Sequence, residues 1–153
     1  METSLQEIKR ITLKADKIID SLTKGVTKYF SYVWGDREIR FIQAAELYNK
    51  AAGLYKFNKH WKEAGDTYKK AAIVYIQQED HDQTGAAYIN AARSYKNCDT
   101  QKFFSCLTLA IDFCLLESKL ALIARLYKEM AVQAVEESKL NEAEIYYKNS
   151  IDH

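Results

Sequence analysis

Apolar and small residues recur along the chain in steps of three, four and seven, with charged and polar residues between them. Such spacing places them on one face of an α-helix. The pattern also repeats every 20 residues, as small-small-x-x-Tyr-x-x-Ala-Ala-x-x-Tyr, in registers that begin at Ala44, Ala64 and Thr84. Looser copies begin at Lys102 and Ile123, and the last reaches Ile151. A repeat of this length indicates one helix and a short turn per unit.

Consecutive antiparallel helices that share such stripes form an α-solenoid like a tetratricopeptide array. Alanine and glycine let the helices approach closely, and tyrosine rings fill the space between them. We therefore predict an all-α fold, a single helical-repeat domain over 1–153 in which about seven helices form a twisted sheet. One helix over 4–23 and an aromatic loop over 24–36 precede repeat helices at about 37–57, 60–78, 81–97, 99–116, 118–137 and 140–152.

Composition agrees with helices, because the chain has no proline and only five glycines. A net charge of +1 provides no field for nucleic acid, although residues 1–60 carry 11 Lys/Arg against 7 Asp/Glu. The three cysteines, Cys98, Cys106 and Cys114, form no metal-ligand pattern; we interpret them as reduced thiols buried on helices, as in a cytoplasmic protein. No apolar run approaches the length of a membrane span, so we expect peripheral membrane contact at most.

Motifs of catalysis and phosphate binding are absent from the sequence, including GxxxxGK[ST], HExxH, CxxC and GxSxG. The turn at residues 79–82, Glu-Asp-His-Asp, offers metal-ligand side chains. A solvated turn in which Asp80 or Asp82 caps the next helix is the better interpretation. We therefore expect no enzyme activity, no cofactor and no metal.

One segment departs from the repeat. Between Gly25 and Gly35 the chain places four aromatic rings within six residues, and lysines and arginines flank them. These rings could pack on the first repeat helix as a cap. They could also lie at the headgroup boundary of a membrane, where aromatic rings are favoured and flanking cations are attracted to anionic lipid. The candidate membrane-contact residues are Tyr29, Phe30, Tyr32, Val33 and Trp34.

The stretch Ala-Ala-Glu-Leu-Tyr-Asn-Lys-Ala-Ala-Gly-Leu-Tyr-Lys at 44–56, followed by Trp61-x-x-Ala64-Gly65, resembles the signature of a known family. This family is the soluble attachment proteins for N-ethylmaleimide-sensitive factor (NSF), and the closer match is to its alpha/beta (Sec17-like) branch. The resemblance covers roughly residues 8–153, and Cys106-Leu107-x-x-Ala110-Ile111-Asp112 also resembles the family's fourth repeat.

The resemblance implies a cytoplasmic, peripherally membrane-associated adaptor without chemistry of its own. Family members lie along the assembled SNARE four-helix bundle (syntaxin-like and partners) and recruit the hexameric NSF-type AAA+ ATPase, which disassembles it in vesicle transport. Tyr29-Phe30-Ser31 and Trp34-Gly35 match the family's membrane-contacting loop, which favours the anchor interpretation. Lys119 and Arg125 match two basic positions that contact the acidic SNARE bundle. The alternative for these charges is an ordinary solvated helix face.

One departure from the family is length. Members run to nearly twice this length, and their C-terminal helical bundle engages and stimulates the ATPase. We therefore expect that bundle to be absent here, in a fragment or a truncated relative, and expect 1–153 not to activate the ATPase. The main alternative function is a generic tetratricopeptide-like scaffold that binds a peptide in its groove.

Overall fold

The computed structural model describes residues 4–23 and 34–152, and within these ranges it consists of seven α-helices and their turns, without a strand. The helices are α1 (Leu5–Thr23), α2 (Trp34–Phe57), α3 (Trp61–Gln77), α4 (His81–Tyr95), α5 (Thr100–Leu116), α6 (Leu120–Glu136) and α7 (Leu140–Asp152). The predicted all-α fold is confirmed.

The largest difference from the predicted bounds lies at the start of α2. This helix begins at Trp34 and not at residue 37, so the predicted loop over 24–36 is wrong in its last three residues. Asp36 lies in the first turn of α2. A carboxylate in that position is favoured by the helix dipole, which accounts for the earlier start. Every other helix end lies within two residues of its predicted place.

The turns between helices repeat one geometry, which keeps successive helices antiparallel. In four of the described turns the residue before the next helix cap has a left-handed backbone with φ of 54–60°: Lys59, Glu79, Ser118 and Ser138. In each, the amide of the following residue donates to a carbonyl five residues earlier, as from Asp80 to Tyr75 at 3.0 Å. This is the closure of a Schellman motif, which satisfies the carbonyls at a helix C-terminus.

Aspartates cap two of the helices. Asp80 accepts a hydrogen bond from the Gln83 amide at 2.9 Å, and Asp99 accepts one from the Lys102 amide at 3.0 Å. Such a bond satisfies one of the free amides at the helix N-terminus. Of the two cap candidates in the 79–82 turn, Asp80 is the one that caps α4.

The helices form two layers, because contacts join alternate helices as well as consecutive ones. Lys70 of α3 binds Asp16 of α1 at 2.8 Å, and the rings of Phe104 in α5 and Tyr146 in α7 stack at 5.7 Å. Arg93 of α4 pairs with Glu129 of α6. We call α1, α3, α5 and α7 the odd layer, and α2, α4 and α6 the even layer.

The repeated small residues and tyrosines form one part of the core between the layers, and larger apolar side chains such as Phe103, Leu107 and Ile123 form the rest. Every residue of the Ala44 and Thr84 registers is buried, as are the small residues of the Ala64 register. The buried Tyr95 hydroxyl donates to Asp66 at 2.5 Å. Desolvation and the Asp66 carboxylate raise the pKa of Tyr95 well above its usual range. Tyr95, like Tyr48 with Asp16, thus fills the core with its ring while its hydroxyl is paired with a carboxylate.

The looser repeats are less well predicted. Leu109 is exposed, because Leu107 and Ile111 occupy the inward face of α5 and a residue two positions from each points away. Tyr147 and Ile151 of α7 are also exposed, since no helix of the described part packs on that face. The prediction that all three cysteines are buried is wrong for Cys98, which lies in the turn between α4 and α5 and is exposed.

Candidate partner-binding surface

Arg125 lies on the exposed side of α6 in the even layer. Its neighbour one turn on, Lys128, is exposed on the same side of the helix. Within the described residues, neither side chain forms a hydrogen bond or an ion pair. Two unpaired cations three residues apart on one helix face attract a negatively charged partner and direct its approach.

Lys119 occupies a different environment. It is the N-cap residue of α6, and its ammonium lies 2.6 Å from a carboxylate oxygen of Asp82 in α4. The hydrogen bond that Lys119 donates to Asp82 raises the pKa of Lys119 above its ordinary value. Of the two predicted contact residues, Lys119 is therefore held by Asp82, and Arg125 is unpaired among the described residues.

A second ion pair joins α4 to α6 near their other ends. The guanidinium of Arg93 lies 2.6 Å from one carboxylate oxygen of Glu129 and 3.4 Å from the other. Among the described residues, the even layer therefore presents two kinds of cation. Arg93 and Lys119 are held by acids of the same chain, and Arg125 and Lys128 have no such partner. Sequence analysis missed Arg93, and it considered Asp82 as a cap or a metal ligand and not as a partner of Lys119. The only sequence signal of the two pairings is an opposite charge 36 or 37 residues away.

A small cleft opens beside Lys119 where α4, α5 and α6 meet. Ala86, Ile89, Phe113 and Leu122 provide apolar walls, and Cys114 contributes a buried thiol. Burial raises the pKa of this thiol, which keeps it protonated and unreactive. The cleft therefore has the character of a packing gap at a helix junction, and it offers no nucleophile.

The 79–82 turn does not converge on a metal site. Asp80 caps α4, Asp82 pairs with Lys119, and His81 Nδ1 lies 3.2 Å from Glu117. Each side chain is directed to a different partner. Among the described residues no group of three or more His, Cys, Asp or Glu side chains is placed to hold a metal ion.

The candidate membrane loop lies almost wholly outside the described residues. Tyr29, Phe30, Tyr32 and Val33 belong to the part that is not described, and Trp34 is described only as the first residue of α2. The membrane-contact prediction stays a prediction. None of the described helices combines the length and apolarity that crossing a bilayer demands.

The architecture defines the class of protein, a tetratricopeptide-like α-solenoid. A crystal structure of BtubC (BKLC) from P. vanneervenii superimposes with a TM-score of 0.62, over 96% of this chain and 62% of that one. Its sequence identity of 14% supports a shared fold alone.

The family follows from sequence comparison. The family model described as soluble NSF attachment protein, SNAP, matches residues 7–153, and the chain belongs to that family. The alpha-soluble NSF attachment protein of Vitis vinifera is 30% identical over 78% of this chain and 41% of its own length. The human alpha protein is 24% identical over 100% of this chain and 51% of its own. Vesicular-fusion protein SEC17 of Komagataella phaffii is 30% identical over 83% and 41%. The chain spans about half the length of these relatives.

Proposed function

We propose that this protein is an adaptor that binds the assembled SNARE four-helix bundle and recruits the NSF-type AAA+ ATPase hexamer for SNARE disassembly in vesicle transport. The observation that carries the proposal is the family match over residues 7–153. The unpaired cations Arg125 and Lys128 support it, because exposed positive charge on a rigid helix favours a long acidic partner.

The direct test is the affinity of the chain for an assembled SNARE bundle. Arg125→Glu reverses a charge on the even layer, and we expect it to weaken binding at least about fivefold and to reduce the salt dependence of association. Lys148→Glu is the matched control, since it makes the same charge change at an exposed position of α7 in the odd layer. Equal affinities of both variants and the wild type would contradict binding through the even layer.

Membrane contact is the second part of the proposal. We infer that the segment at residues 29–34 attaches a cytoplasmic adaptor peripherally to the membrane that carries its SNARE substrate. The excess of Lys/Arg within residues 1–60 supports attraction to anionic lipid. One such loop binds weakly, so a second attachment through the SNARE bundle is needed for stable recruitment.

Flotation with anionic liposomes tests the loop. The double variant Tyr29→Ser/Phe30→Ser removes two rings without changing charge, and we expect it to lose flotation while it keeps its helical circular dichroism. Binding to the isolated SNARE bundle, without lipid, should be unchanged and serves as the control. Unaltered flotation of the double variant would show that these rings do not anchor the protein.

ATPase recruitment is the third part, and here the length of the chain matters. In a SNARE disassembly assay we expect the 153-residue chain to bind the bundle without supporting turnover, because it spans only about half of its relatives. A full-length relative is the positive control. Turnover at the rate of that relative would show that the ATPase needs nothing beyond these helices.

A further inference from the structure

The ion pair between Lys119 and Asp82 lies where a partner of the even layer can reach it. The side chain of Lys119 is 39% exposed and that of Asp82 is 55% exposed. Lys119 matches a partner-contact position of the family, yet in the free protein its ammonium is already bound at 2.6 Å. A partner carboxylate that binds Lys119 must first displace the carboxylate of Asp82 in α4.

We propose that Asp82 is an intramolecular competitor for Lys119, which holds the ammonium in the free adaptor and is displaced by a carboxylate of the partner. This inference rests on the proposed function, since it concerns the regulation of the same surface. An exposed ion pair is weak, because solvent and salt screen it. The competition therefore changes partner affinity by a small factor and leaves binding possible.

The backbone permits this exchange without unfolding. The Lys119 amide donates to the Cys114 carbonyl, and its carbonyl accepts from the amides of Leu122 and Ile123, each at 3.0 Å. These bonds fix the backbone at the start of α6. The four-carbon side chain of Lys119 can then rotate from Asp82 to a partner while the helix stays in place.

Contacts other than this ion pair hold α4 and α6. The Arg93–Glu129 pair joins the two helices farther along, and Ile89 of α4 and Leu122 of α6 line the same cleft. The cap of α4 is Asp80, and Asp82 is favoured by the dipole of the first turn without any help from Lys119. The Lys119–Asp82 ion pair is therefore one of several contacts between α4 and α6, and the others remain when it is exchanged.

The arrangement separates two steps of recognition. Arg125, which is unpaired, meets the acidic partner first. Lys119 joins only if the partner places a carboxylate close enough to replace Asp82. The next carboxylate in the chain, that of Glu117, lies 3.2 Å from His81 Nδ1. A densely acidic helical bundle is thus favoured over a partner with one isolated charge.

The test is a double-mutant cycle on affinity for an assembled SNARE bundle. Asp82→Asn removes the competing charge at nearly constant shape, and we expect it to tighten binding roughly two- to fivefold. In a Lys119→Met background the same substitution should have no effect. Asp112→Asn, at an exposed position of α5 in the odd layer, is the matched loss of one negative charge and should leave affinity unchanged.

Four results would overturn the inference. Weaker binding by Asp82→Asn, in a variant whose melting temperature equals that of the wild type, would show that the pair is a structural clip. An equal gain in the Lys119→Met background would show a general charge effect. Should Asp82→Asn unfold, Asp82→Ser replaces it, since serine is also favoured at a helix start. If Arg125→Glu lowers the affinity for the SNARE bundle and Asp82→Asn does not raise it, only the proposal that Asp82 competes for Lys119 is refuted. If the wild type does not bind the bundle, both proposals are refuted.

Discussion

Gly65 is the position of the repeat at which an added side chain should affect the stability of the fold most clearly. A Cβ atom built on Gly65 would lie 2.6 Å from two ring atoms of Tyr95 and 2.8 Å from a third. The ring has no room to move away, because Tyr95 is 0% exposed and its hydroxyl is bound to Asp66. A methyl group therefore requires the backbones of α3 and α4 to separate.

The expected cost follows from two opposing effects. Alanine stabilises a helix over glycine by about 1 kcal/mol, and overpacking a buried contact of this kind costs about 1–3 kcal/mol or more. We expect Gly65→Ala to lower the free energy of unfolding by up to about 2 kcal/mol, and the melting temperature by up to about 8 °C in a chain of this size. Urea unfolding followed by circular dichroism at 222 nm measures it.

Gly53→Ala is the matched control, because the nearest atom to its added Cβ is the Tyr68 hydroxyl at 3.9 Å. There the helix-propensity gain acts alone, so this variant should be more stable than the wild type by about 0.5–1 kcal/mol. In a Tyr95→Ala background, Gly65→Ala should become stabilising as well. The reasoning is refuted if Gly65→Ala is as stable as Gly53→Ala in the otherwise unchanged protein.

Three further properties can be measured on the same protein. Asp80→Ala removes the cap bond to the Gln83 amide, and it should lower the unfolding free energy by about 1 kcal/mol in urea titrations; no change would mean that solvent satisfies that amide. The pKa values of Tyr48 and Tyr95 are raised in the folded state, so the unfolded chain loses these protons first as the pH rises. The contribution of these two tyrosines to stability should be constant below about pH 10 and fall above it, and the fall should be less steep in Tyr95→Phe. With a thiol reagent at pH 8, Cys98 alone should react in the native protein and all three cysteines in denaturant. Three fast thiols in the native state would contradict the buried positions.

Much of the fold was readable because its determinants are local. The Ala44 and Thr84 registers are buried in full, since a spacing of three and four residues places side chains on one helix face whatever packs there. The 79–82 turn was found for a similar reason, because Asp80 carries one of the short side chains that cap helices. These features depend on neighbours within one or two turns of the chain.

Other features depended on which helix lies beside which. The repeat alone placed Leu109 and Ile151 in the stripe, yet Leu109 points outward and Ile151 is 82% exposed. Burial requires a facing helix, and the sequence of one helix does not show whether its neighbour covers that face.

The partner-binding surface shows the same division. The sequence, through its family resemblance, indicated Lys119 and Arg125 as cations that meet an acidic partner. Only the tertiary structure separated them, because the carboxylate of Asp82 comes from another helix 37 positions earlier in the chain and lies 2.6 Å from the Lys119 ammonium. Ion pairing falls off over a few ångströms, so the packing of α4 beside α6 decides which cation is free and which is held.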